Sequence, residues 1–155
     1  MTLSIEVDDE AWLALADLDR LARTAVLAAL AGAGADQQDK EIAILFTSDQ
    51  SIAAINAEWR GQSKSTNVLS FPAAPDLPIP EGEERPLGDI VLAHGVVASE
   101  AAEQGKTLRD HTTHLIVHGV LHLLGLDHQT DHDAQKMEWL EASILKELGI
   151  SDPYE

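Results

Sequence analysis

The chain has 155 residues, 45% of them hydrophobic and none of them cysteine, and a net charge of −17 from 10 Lys+Arg against 27 Asp+Glu. That length and apolar share suit one soluble domain with a real core, and the missing cysteines exclude disulfides and thiolate-bound zinc. The acidity argues against a generic nucleic-acid binder, which carries a basic face. Charges are screened over about 8 Å at physiological salt, so a local basic cleft can still act within an acidic protein.

The start of the chain carries no basic segment and no long apolar run, so neither a signal peptide nor a membrane span is expected, and the protein is placed in the cytoplasm. Leu3, Ile5 and Val7 alternate with polar residues and predict a strand. Trp12, Leu15, Leu18, Leu21, Ala22, Val26 and Leu30 recur at helical spacing, with a break near Asp17 to Asp19 and a stop at Gly32 and Gly34. Trp12 reads as a core anchor. Ile42, Ile44 and Phe46 give a second strand. Ser48 or Asp49 can cap the next helix, whose apolar face is Ile52, Ile55 and Trp59. Arg60 stands at its end beside Gly61, where a cation complements the helix dipole.

After a polar loop containing Lys64, Asn67 to Phe71 forms a short strand ending at Pro72. Pro72, Pro75, Pro78, Pro80 and Pro86 mark a long loop, read as a strand connection. Gly88 to Ala93 returns as a strand antiparallel to the one before the loop. Val96, Val97 and Ala101 mark a short helix ending near Gly105, with His94 before it as a cap or surface residue. Thr107 to Asp110 resembles a capping box and opens a helix running to Leu124. Thr130 or Asp131 can cap the last helix, with Met137, Leu140, Ile144, Leu145 and Leu148 as its apolar stripe. The order β-α-β-α-β-β-α-α-α predicts a single α+β domain over 1–155, with a small mixed four-stranded sheet and about five helices. The first three strands are expected to pair in parallel, and the fourth to add antiparallel pairing.

The chemistry concentrates in His118-Gly-Val-Leu-His122-Leu-Leu-Gly-Leu-Asp-His128. Residues four apart on a helix share a face, so His118 and His122 can reach one ion. Gly125 tolerates the backbone that ends a helix, and His128 arrives just past that turn. Three neutral imidazoles leave one position of a tetrahedral zinc open, the catalytic arrangement. The spacing is that of the metzincin pattern H-E-x-x-H-x-x-G-x-x-H, except that Gly119 replaces the glutamate base of those peptidases. His111 and His114 extend the stripe as cleft-lining groups or bystanders and are not counted as ligands.

The histidine motif, together with Asn56-Ala-Glu-Trp59-Arg60, Thr66-Asn-Val-Leu-Ser-Phe-Pro72 and Leu87-Gly-Asp-Ile-Val91, resembles the signature of the YbeY family of bacterial endoribonucleases. The resemblance runs from about Glu41 to Leu148; the family pattern usually carries Asp where this chain has Asn67. It implies an α+β fold with the metal on the helical side, and one zinc ion per chain. It implies a single-strand-specific endoribonuclease acting in rRNA maturation, at the 3′ end of 16S rRNA, and in ribosome quality control. The implied partners are ribosomal RNA and small-subunit components, not DNA or a membrane. It also moves Arg60 from a helix-end cation to a site residue; in an endoribonuclease Arg60 is expected to be the catalytic, phosphate-holding group, and Lys64 a secondary substrate contact. Two other readings compete: a metallopeptidase-like hydrolase, opposed by Gly119, and a non-enzymatic ribosome assembly factor with structural zinc, whose acidity would suit a basic partner.

Overall fold

The computed structural model describes residues 1–74, 78–126 and 129–154. Among these, four strands and five α-helices form one α+β domain. The strands are β1 (Thr2–Val7), β2 (Lys40–Thr47), β3 (Val68–Pro72) and β4 (Arg85–Ala93). The helices are α1 (Leu18–Gly32), α2 (Asp49–Arg60), α3 (His94–Glu103), α4 (Leu108–Leu123) and α5 (Asp131–Glu147). A 3-10 helix over Glu10–Ala14 precedes α1, and Asp17 between them has φ +56°, so the predicted break in the first helix is present. Ser48, Thr107 and Thr130 are the N-caps of α2, α4 and α5, each accepting from a backbone N–H three residues on.

The sheet order is β1-β2-β4-β3. β1 pairs with β2 and β2 with β4 in parallel, while β3 pairs antiparallel with β4. This corrects the expected pairing: the fourth strand, not the third, continues the parallel set. Ile90, Val91, Leu92 and Ala93 are all buried and belong between two neighbours. β3 is short and ends in Pro72, which cannot donate to a ladder and so suits an edge. β4 also begins earlier than expected, at Arg85, and takes in Pro86. The register slips between Glu41 and Ile42 of β2, whose partners are Pro86 and Gly88. A β-bulge there relaxes the demand for a backbone donor at the proline.

Side chains alternate across the sheet, and the two sets build two cores. Ile42, Ile44, Phe46, Ile90 and Leu92 pack with the buried faces of α1, α4 and α5. Leu45, Leu69, Val91 and Ala93 pack with Ile52 and Ile55 of α2 on the opposite face. Trp12 is fully buried in the larger core, edge-on to Phe46, with its indole N–H donating to the Thr47 carbonyl at 2.9 Å. His94 begins α3 and packs its ring edge-on against Trp12. Met137 is buried in the same core as the predicted stripe of α5. Among the described residues no helix is long and apolar enough to cross a membrane.

Candidate functional site

Helix α4 is buried nearly all round, His111 to Val117 and Gly119 to Leu121 included, which is the signature of a helix enclosed by other elements. Its C-terminal turn is where the enclosure opens. His118 and His122 are half-buried there and line a cavity of about 500 Å³ with Arg60, Ser70 and Pro72. The chain then leaves α4 as the glycine predicts. Gly125 has φ +94°, its N–H donates to the His122 carbonyl, and the Leu126 N–H donates to the Leu121 carbonyl. His128 and Asp127 lie outside the described residues.

The Nε2 atoms of His118 and His122 are 3.0 Å apart. Two nitrogens on one tetrahedral zinc, at bonds of about 2.0–2.1 Å, stand roughly 3.3 Å apart, so this pair fits the ion with little movement. The opposite nitrogen of His118, Nδ1, meets Oε1 of Glu141 on α5. Oε2 of the same carboxylate meets Nε2 of His114 at 3.1 Å and accepts from the Tyr154 hydroxyl. Burial alone would raise the Glu141 carboxyl. The hydrogen bonds from His114, His118 and Tyr154, with the positive charge His118 can carry, outweigh it and hold the group down at about 2. Tyr154 is pushed far upward by burial and by its bond to Glu141. A second carboxylate holds the other end of the stripe. Glu100 meets His111 Nε2 at 2.9 Å and accepts from Asn67 Nδ2 at 2.9 Å. Asn67 therefore acts here as a neutral donor; an aspartate would set two like charges together.

Arg60 is exposed at the end of α2, with Nη2 donating to the Ser70 carbonyl at 3.1 Å and its guanidinium 5.6 Å from the centre of the Phe71 ring. These contacts hold it at the cavity with the two histidines, a placement that a helix-end role alone does not require. Lys64 is exposed on the loop between α2 and β3 and is not part of the cavity lining. Its carbonyl accepts from Asn56 Nδ2, which ties down that loop.

Gly119 has a packing reason. A Cβ there would lie 3.1 Å from Ile90 Cδ1 and 3.2 Å from Ser70 Oγ, so this side of α4 is pressed against the sheet. The position at which the metzincins carry their base is thus crowded by the sheet. A larger cavity, about 650 Å³, opens on the sheet face that carries α2. It contains no histidine, and its charged residues are Glu6, Glu41 and Asp89, so the chemistry belongs to the smaller one.

Sequence reasoning missed Glu100, Glu141, Tyr154 and Ser70. Glu141 did leave a signal: it lies four residues after Met137 and four before Leu145, a charged residue within an apolar stripe.

The family model described as Endoribonuclease YbeY matches residues 4–149. A relative from Dinoroseobacter shibae, described as Endoribonuclease YbeY, is 50% identical over 99% of this chain and 91% of its own. One of the same description from Azorhizobium caulinodans is 46% identical over 99% and 96%. The fold resembles the solution structure of TM1509 from Thermotoga maritima, with a TM-score of 0.60 and 21% identity, covering 95% of this chain and 91% of that one.

Two outcomes are expected. Gly119→Glu drives a side chain into Ile90 and Ser70. It should destabilise by about 1–3 kcal/mol or more in urea titration and should not confer casein hydrolysis; a stable, proteolytic variant would contradict the packing. The second concerns pH. Burial holds His111 below its ordinary value, against the opposing pull of Glu100. Folded His111 thus stays neutral where the unfolded chain takes up a proton. Its contribution to stability is full above the unfolded value of about 6.5 and is lost as pH falls from there through the lower folded value. In metal-stripped protein, stability should fall more steeply below about pH 6.5 for wild type than for His111→Gln; parallel curves would contradict this.

Proposed function

The chain belongs to the YbeY endoribonuclease family, and on that premise we propose that it is a zinc-dependent endoribonuclease of single-stranded RNA, acting in the cytoplasm in ribosomal RNA maturation. The observation that carries the reading is the paired Nε2 atoms of His118 and His122, 3.0 Å apart, in one cavity with the Arg60 side chain. His118, His122 and His128 would hold one zinc ion. When bound there, zinc supplies a positive charge that polarises a phosphoryl oxygen and acidifies water. Arg60 binds the phosphate beside it. A guanidinium forks onto two phosphate oxygens and stabilises charge that develops on them, and its bond to the Ser70 carbonyl fixes its reach. Lys64, outside the cavity, would touch a neighbouring phosphate.

The wider assignment follows from the family: the 3′ end of 16S rRNA as substrate, small-subunit components as partners, and ribosome quality control as the setting. With 27 acidic residues against 10 basic ones, RNA is held locally, at the cleft, and not by the surface at large. A peptidase reading finds no support at Gly119, which offers no side chain to accept a proton.

The test is single-turnover cleavage of a short RNA with zinc measured on the same samples. His118→Ala, His122→Ala and His128→Ala should each lose zinc and cleavage. Arg60→Ala should keep its zinc and its fold and cleave roughly 10²–10³-fold more slowly, with Arg60→Lys recovering part of the loss. Full zinc in His122→Ala, or unchanged cleavage in Arg60→Ala, would contradict the assignment.

A further inference from the structure

Helix α5 turns one carboxylate into the domain core. Glu141 is fully buried, between Met137 and Leu145 in an otherwise apolar stripe. A leucine would satisfy that position as packing, because a buried charge is disfavoured unless every lone pair finds a donor. The donors here come from defined places. His118 Nδ1 stands against Oε1, while His114 Nε2 and the Tyr154 hydroxyl stand against Oε2. Two of the three are imidazoles on successive turns of α4, and the third comes from the segment beyond α5. The carboxylate is thus clamped from three sides with one oxygen on the back of the His118 ring. The front of the same ring presents Nε2 to His122 across the cavity.

From this geometry we infer that Glu141 is a positioning residue for the metal centre. It fixes His118 with the proton on Nδ1, so that the Nε2 lone pair faces the ion, and it raises the basicity of that ligand. A carboxylate oxygen only accepts, so a ring nitrogen against it must donate. A neutral imidazole has one N–H, and placing it on Nδ1 leaves Nε2 as the ligating atom. A carboxylate behind a ligating imidazole typically strengthens metal binding 10–100-fold. His114 and Tyr154 act one step further back, because they hold the carboxylate that holds the ligand. The inference rests on the proposed zinc site, and it assigns this role to residues outside the His118-to-His128 motif.

Glu141→Gln tests it. Glutamine keeps the shape and carries no charge, and His114 and Tyr154 can each reverse from donor to acceptor to accommodate its amide. Two quantities are read. The first is zinc affinity, by competition with a chromophoric chelator on metal-stripped wild type and variant. The second is the His118 tautomer in metal-free wild type, from long-range ¹H–¹⁵N correlation of ¹⁵N-histidine-labelled protein. A purely structural role for Glu141 would not dictate that tautomer. The expected results are an Nδ1-protonated His118 and zinc binding weakened about 10–100-fold in Glu141→Gln. Affinity within about twofold of wild type, or an Nε2-protonated His118, would overturn the inference while leaving zinc binding by the wild type standing. Wild-type protein that binds no zinc would overturn the zinc site itself and this inference with it. If Glu141→Gln fails to fold, the wild-type tautomer alone decides.

Discussion

Burial of α4 on nearly every side is the constraint to which the rest of the site answers. A helix packed against the sheet, α1, α3 and α5 cannot leave its polar side chains to water, and its buried imidazoles meet carboxylates from neighbouring helices. His111 is matched by Glu100 from α3, and His114 and His118 by Glu141 from α5. Where α4 touches the sheet, Gly119 lets the helix press close to Ile90 and Ser70, which a Cβ would crowd. Past its exposed first turn the helix opens again only toward its C-terminal end, where the half-buried His118 and His122 share a cavity with Arg60. Fold and site are therefore one problem: the helix that fills the core also presents the imidazoles, and the neighbours that satisfy its buried half also orient its open end.

The elements were largely legible in the sequence because each carried a strong local signal. Period-two alternation marked β1 and β2, the caps Ser48, Thr107 and Thr130 marked helix starts, and Gly125 marked the end of α4. The pairing order was not legible. Whether β3 or β4 lies beside β2 depends on which strand must be buried on both faces, and the proline-rich loop between them is long enough to allow either. Pro86 also misled: read as a loop residue, it enters β4 where the bulge opposite Glu41 and Ile42 admits it.

In the site, spacing made His118 and His122 legible, since four residues on a helix is one turn whatever surrounds it. Arg60 was ambiguous for the opposite reason. A cation at a helix end has a local explanation, and only the Ser70 carbonyl and the Phe71 ring, brought beside it by β3, supply a second one. Glu100 and Glu141 were invisible as partners of the histidine stripe, because no local pattern says which helix will pack against α4. Within an acidic chain, Glu100 and Glu141 face imidazoles, and Arg60 lines the cavity with His118 and His122.

The central claim is that three imidazoles of this chain hold one zinc ion and leave a position open for chemistry. X-ray absorption at the zinc edge on purified protein tests it most directly. The account predicts one zinc per chain with a first shell of nitrogen and oxygen scatterers at about 2.0–2.1 Å, the outer-shell signature of three imidazoles, and one further light atom. Protein that holds no zinc, or a shell of six oxygens with no imidazole signature, would contradict it.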